Sequence, residues 1–204
     1  MDTKAGWETM YSTKDPTQVS WYQEHPRLSL HLIQSTGIDP TAPIIDVGGG
    51  AATLVDDLLA HGFQNITVLD ISAAALEAAR KRLGPRAAAV TWLEADIAQV
   101  QLPHHAYTVW HDRAVFHFLT DPDDRRRYVE AMRHAVEPGG HVIVATFAPE
   151  GPRKCSGLDV VRYDARTLHD EFGDDFTLIS SANETHRTPF GTDQKFIYCY
   201  CRKQ

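Results

Sequence analysis

The chain has 204 residues, with 20 Lys and Arg against 27 Asp and Glu, a formal net charge of −7 with the 11 His neutral. Hydrophobic residues make up 43% and charged residues 23%, the balance of a soluble globular protein of one domain or at most two small ones. No apolar run approaches the roughly 18–20 residues that a membrane helix needs. The acidic balance argues against a general attraction to nucleic acid, leaving only a local basic patch open. The start, Met1 to Lys4, lacks the apolar stretch of a signal peptide. Three Cys without a CxxC pair speak against a disulfide framework or a zinc ribbon. No metal site is assigned, and the expected compartment is cytoplasmic.

In chain order, the first 26 residues hold Trp7, Tyr11, Trp21 and Tyr22 among polar residues. They read as an N-terminal flap or helix pair, and residues 1–27 are set apart as a lid before a main domain spanning 28–204. Trp21 to Pro26 is the candidate lid segment or, alternatively, a hydrophobic staple for a helix over Leu28 to Ser35. Pro43 to Val47 is a short apolar strand stopped by Gly48-Gly49-Gly50. Ala51 to His61 has Leu54, Val55, Leu58 and Leu59 at helical spacing, with Gly62 as its stop. Asn65 to Asp70 is a second strand. Ser72 to Leu83 is an Ala-rich helix, N-capped by Ser72 and ended by Gly84-Pro85. Ala89 to Glu94 and Tyr107 to His111 are the third and fourth strands. Asp121 to Val136 is a helix, and His141 to Phe147 a fifth strand after the turn Pro138-Gly139-Gly140. Such alternation implies βαβ crossovers and a mainly parallel sheet covered by helices on both faces. Phe176 to Ser180 and Lys195 to Tyr200 flank a polar segment and read as an antiparallel hairpin at a sheet edge.

Asp46-Val47-Gly48-Gly49-Gly50-Ala51-Ala52 lies where a strand hands over to a helix. Glycines there permit a tight turn and a close approach to a ligand, and the helix start supplies free N–H groups. Asp70 ends the second strand, and Asp96, beside Ile97, follows the third. An acid ending the second strand of such a unit accepts hydrogen bonds from ribose hydroxyls. The alternative is that these acids only cap the next helix. A nicotinamide cofactor would need Gly at 53, which is Thr53, and would not call for Asp96.

At these residues the chain resembles the class I S-adenosylmethionine-dependent methyltransferases. Ile45-Asp46-Val47-Gly48-Gly49-Gly50 matches the opening motif, with the family's third glycine falling on Ala52. The resemblance implies a Rossmann-like seven-stranded sheet whose last strand inserts antiparallel. It implies S-adenosylmethionine held by Asp46, Gly48, Gly49, Gly50, Asp70, Ile71, Asp96 and Ile97, with His111 at the end of strand four against the methionine moiety. Pro138-Gly139-Gly140 matches the turn before strand five, and the resemblance covers residues 28 to 202. The opening Trp7-Glu8-x-x-Tyr11 and Ser20-Trp21-Tyr22 is similar to small bacterial methyltransferases, and more loosely to the lysine methyltransferases of elongation factor 1A and citrate synthase.

The family's chemistry is an in-line methyl transfer, in which the protein aligns the acceptor, excludes water and ensures its deprotonation. The acceptor is expected near the ends of strands four and five. His111, Asp112 and His117 are the catalytic candidates, one of the two imidazoles serving as base, and Asp112, Arg113 and His117 are placed at the pocket rim. The alternative is that His111 uses only its backbone and Asp112–Arg113 is a structural pair. Thr108 stands where the family commonly has Asp. Trp21, Tyr22, Arg113, Cys155, Arg162 and His186 are the substrate-side candidates; Arg153 or Arg162 suits an anionic acceptor, and Cys155 is either a pocket wall or a buried small hydrophobe. Glu184 to Gly191, which contains His186, is either a closing loop or a polar hairpin. His104-His105 and Arg125-Arg126-Arg127 read as surface. A small-molecule acceptor such as a thiol is preferred to a protein lysine, and a non-catalytic binding module is the third reading.

Overall fold

The computed structural model describes residues 3–13 and 15–204; residues 1, 2 and 14 of the expected flap lie outside them. Helix α1 (Thr3–Thr13) and a 3₁₀ turn (Pro16–Gln18) precede α2 (Arg27–Ser35). Then come β1 (Ile44–Val47), α3 (Leu54–Ala60), β2 (Ile66–Asp70), α4 (Ala73–Leu83), β3 (Val90–Glu94) and β4 (Tyr107–Arg113). Helix α5 (Pro122–Ala135) leads to β5 (Val136–Phe147), the short pair β6 (Lys154–Cys155) and β7 (Leu158–Asp159), and α6 (Ala165–Phe172). The long strands β8 (Phe176–Arg187) and β9 (Asp193–Lys203) complete the chain.

The main sheet has seven strands in the order β3-β2-β1-β4-β5-β9-β8. β1 to β5 pair in parallel, and β9 inserts antiparallel between β5 and β8. This is the Rossmann-like α/β sheet expected from the motifs. One face packs on α2, α3 and α4 through Ile33, Leu54, Leu58 and Leu76. The other packs on α5 and α6 through Tyr128, Met132, Leu168 and Phe172. Crossovers put helices on both faces because a parallel strand cannot follow its neighbour without crossing over the sheet.

Local signals hold well along this core. Ser72 caps α4 by accepting the N–H of Ala75, and Asp121 caps α5. The terminal hairpin differs from the expectation: both strands run much longer, and the turn shrinks to residues 188–192. Their polar residues lie on an exposed face of β8, so alternation rather than hydrophobicity would have shown the strand. Helix α6 carried no signal that was read, although Asp164 and Thr167 form a capping box at its start. Among the described residues, no helix is long and apolar enough to cross a membrane.

Candidate active site

The carboxyl ends of β1, β2 and β4 open onto a cavity of about 310 Å³. Such a crevice, where the strand order reverses, is where open α/β sheets bind ligands. Its floor is the glycine loop. Gly48 has φ +70°, and a Cβ there would lie 1.9 Å from Cγ2 of Val115. A Cβ on Gly49 would lie 2.4 Å from the Asp46 carboxylate, and one on Gly50 2.3 Å from that of Asp70. The loop therefore needs its three glycines for space as well as for turning. Ala114, with φ 73°, makes the sharp exit from β4 that brings Val115 down onto Gly48. A left-handed non-glycine residue is uncommon and clusters at functional sites.

Asp70 lies at one end of the cavity, buried, with its carboxylate accepting only backbone N–H groups. Burial pushes its pKa up to about 7, against those hydrogen bonds, and neighbouring Asp46 adds to the rise. A buried carboxylate short of donors is well matched to two ribose hydroxyls. Ile71, Asp96 and Ile97 line the adjoining wall. Asp96 also caps the following turn, accepting from the Ala98 N–H at 2.9 Å and from Gln99 Nε2 at 2.7 Å, as the capping reading of this acid expects. The Cβ-free floor and the two acids fit an adenosyl group with its ribose at Asp70.

At the other end, Asp46 and His111 are cross-strand partners on β1 and β4. His111 Nδ1 lies 2.7 Å from Asp46 Oδ1, with both side chains buried. His111 Nε2 is buried without a hydrogen-bond partner among the described residues, and the residue lines the cavity. Side chains alternate along β4, so Arg113 shares this face while Asp112 points to the other. That corrects the placement of Asp112 at the rim. Its carboxylate is fully buried under α5, accepting from the N–H groups of Val115 and Phe116 and from the Tyr128 hydroxyl at 2.7 Å. Burial holds its pKa at about 6, above the usual range despite those bonds.

His117 is likewise not at the rim. It is buried on a 3₁₀ turn between Phe118 and Phe147. Its Nδ1 accepts the Phe147 N–H at 3.2 Å. Burial, with Arg113 nearby, lowers its pKa to about 3. An imidazole that acidic is too weak a base to remove a proton near neutral pH.

The roof comes from α1 and the strap after it. Trp7, Tyr11, Trp21 and Phe118 line the cavity, with Trp7 edge-on to Phe118 at 5.0 Å and to Trp21 at 5.8 Å. Glu8 of α1 accepts from Ser72 Oγ at 2.8 Å and from the Ala74 N–H at 3.1 Å. A carboxylate at the start of α4 is favoured by the helix dipole. The strap is held by a network centred on Arg113, which donates to Glu184 (2.9 Å), to the Tyr198 hydroxyl (3.0 Å) and to the Trp21 carbonyl (3.2 Å). Gln23 donates to Glu184, Thr53 to the Gln23 carbonyl, and His186 Nε2 to the Ser20 carbonyl. Burial keeps His186 below its ordinary basicity, which suits a neutral donor holding the strap.

Of the substrate-side candidates, Trp21 and Arg113 line the cavity, while Tyr22, Cys155, Arg162 and His186 do not. Arg162 donates from one Nη to the carbonyls of Pro149 and Gly151 and lies outside the cavity lining. Cys155 is buried on β6, its thiol pushed up to about 11 by burial. Sequence reasoning gave no site role to Thr53, Phe118 or Tyr198, and had Gln23 and Glu184 only within the candidate lid segment and closing loop. It had Trp7 and Tyr11 as part of a flap and of an opening motif but not as cavity walls, although their four-residue spacing puts both on one helix face.

Residues 44–140 match the family model described as a methyltransferase domain. That segment, just under half of the chain, is similar to a methyltransferase domain. The eEF1A lysine and N-terminal methyltransferase of Mus musculus is 26% identical over 148 residues, 70% of this chain and 21% of that protein. The chain thus spans about a fifth of the length of the first curated relatives it matches. Among solved structures, the N-methyltransferase NodS of Bradyrhizobium japonicum WM9, in complex with S-adenosylhomocysteine, superposes with a TM-score of 0.75 at 16% identity, covering 100% of this chain and 99% of that one. A structure described for the conversion of a disulfide bond into a thioacetal group during echinomycin biosynthesis gives 0.80 at 18% identity, covering 98% and 93%.

Proposed function

We propose that the chain is a cytoplasmic enzyme that transfers the methyl group of S-adenosylmethionine to a small-molecule nucleophile. The observation that carries the acceptor class is the roof. Trp7, Tyr11 and Trp21 line the same cavity as Asp46, Asp70 and Asp96, so aromatic side chains narrow the approach to the site, which suits a small acceptor. When bound, the cofactor supplies an activated methyl group on a sulfonium. Asp70 takes the ribose, the wall at Asp96 and Ile97 the adenine, and the loop Gly48 to Gly50 the methionine end. The aromatic roof excludes water and favours a sulfonium by cation–π attraction. Residues 1–27 serve as the lid and 28–204 as the cofactor-binding domain.

The second reading is transfer to a protein lysine, favoured by relatives named for activity on eEF1A. Incubation with methyl-labelled donor and a cell lysate, followed by separation of protein from small molecules, distinguishes the two. Label is expected in the small-molecule fraction; label confined to protein would replace the first reading with the second.

A further inference from the structure

We propose that Asp46 and His111 form a general-base pair that removes the proton from a neutral thiol as it accepts the methyl group. The proposal rests on the methyltransferase reading above and deepens it by naming the base and the acceptor class.

Three observations meet at His111. A carboxylate can only accept, so in the proposed pair the 2.7 Å contact puts a proton on Nδ1. The neutral ring then carries its lone pair on Nε2. That atom is buried and has no hydrogen-bond partner among the described residues, in a residue that lines the cavity. A buried polar atom left unpartnered is destabilising, so it marks a place where a ligand proton belongs. His117, the other imidazole of this segment, is disqualified by its position away from the cavity.

The surroundings support the step. Asp46 faces His111 from β1 and stabilises the imidazolium that forms. Arg113 lies two residues on along the same face of β4, but its charge is engaged by Glu184 of β8. Tyr198 of β9 and Ser29 of α2 bring only hydroxyls, which share a 3.2 Å contact. Asp112 is on the opposite face of β4, and Asp70 lies beyond Asp46. A thiol suits the roof, since sulfur packs favourably against aromatic edges.

The balance is simple. The sulfur lone pair of the acceptor forms the new C–S bond, and the bonding pair of the donor's methyl–sulfur bond returns to the donor sulfur. The S–H proton goes to Nε2 and then to solvent. Sulfonium and thiol become thioether, methylated thiol and a proton.

The test compares wild type with His111→Gln using two probe acceptors, 2-mercaptoethanol, which keeps its proton near neutral pH, and 4-nitrothiophenol, which is ionised there. Single-turnover transfer, S-adenosylhomocysteine affinity by calorimetry, and the His111 tautomer by nitrogen NMR are read together. The substitution is expected to slow transfer to 2-mercaptoethanol by about 100-fold or more, and by at least 30 times more than transfer to 4-nitrothiophenol. The affinity is expected to stay within about threefold, and the NMR spectrum of wild type is expected to show the proton on Nδ1. Equal slowing with both acceptors, a tenfold loss of affinity, or a proton on Nε2 in the free protein overturns the base. Transfer to neither probe with normal cofactor binding overturns the thiol class and the base with it. No cofactor binding by wild type would instead overturn the methyltransferase reading.

Discussion

The two ends of the cavity are built in different ways. The side proposed for the donor, from Asp46 to Asp96, is made by consecutive βα units, and its shape is set by backbone turns and by absent Cβ atoms. The side proposed for the acceptor is made by side chains that meet from remote parts of the chain. Arg113 binds a carbonyl 92 residues away, Gln23 a carboxylate 161 away, and His186 a carbonyl 166 away. The similarity to a methyltransferase domain at residues 44–140 contains the whole glycine-loop floor. It leaves out α1, the strap, and the β6–β7 and β8–β9 pairs. A fold can keep the first construction unchanged while it rebuilds the second, which is how one sheet serves many acceptors.

The largest effect that tests this contrast is expected at the floor. In Gly50→Val, a Cβ at 2.3 Å from the Asp70 carboxylate and 2.9 Å from Ala75 must push one of them away. S-adenosylhomocysteine affinity should fall by about 100-fold or more, with about 1–3 kcal/mol lost in stability. Calorimetry and thermal melts read both. Normal binding would show that the donor does not lie on this loop.

Asp70→Asn should act next most strongly, lowering affinity by about 30-fold at pH 8 and removing its pH dependence. The sign follows from the raised pKa of about 7. Below that value the free protein holds the carboxyl protonated, whereas accepting two hydroxyls requires it ionised. Wild-type affinity should therefore fall by up to about tenfold per unit as pH drops below 7. Stability of the free protein runs the opposite way. The folded state binds the extra proton between the unfolded value and 7, so stability is full at low pH and is lost as pH rises through 7. Asn stays neutral, and at pH 8 it should stabilise the free protein by about 1–2 kcal/mol, or roughly 2–8 °C in Tm. A variant that loses both affinity and stability would mean that Asp70 supports the fold rather than the ligand.

The same division decides what could be read in advance. β1 to β5, the helix caps at Ser72 and Asp121, and the acids at 46, 70 and 96 are visible because each depends on a few neighbours in sequence. The alternation of β4 was equally available: Trp110 and Asp112 share one face, His111 and Arg113 the other. That alternation alone puts Asp112 on the face opposite His111. The bulge between Tyr107 and Val109 changes the phase earlier in the strand, so only the segment after it is in register with the site. His117 was not readable, because its burial depends on Phe147, 30 residues on. The Asp46–His111 contact also escaped notice, since strand order, not sequence, makes β1 and β4 neighbours.

The smallest effect on the donor is expected from Glu184→Ala, and it is the sharpest test of whether the two sides are separable. Glu184 accepts from Arg113 and Gln23, with side-chain exposures of 13% for Glu184 and 9% for Arg113. Removing the carboxylate leaves a nearly buried guanidinium with only the Tyr198 hydroxyl and the Trp21 carbonyl. Breaking a buried pair costs about 3–5 kcal/mol; the two remaining partners should hold the loss to about 2–3 kcal/mol. Replacing both residues, in Arg113→Met with Glu184→Ala, removes the orphaned charge and should recover part of that stability. Affinity for S-adenosylhomocysteine should change by less than about threefold in the single variant, because no contact of the glycine loop or of Asp70 passes through Glu184. The strap should loosen instead, raising amide exchange at Trp21 to Gln23. A large loss of cofactor affinity would mean that the strap holds the donor as well as the acceptor, and the two sides would then be one unit.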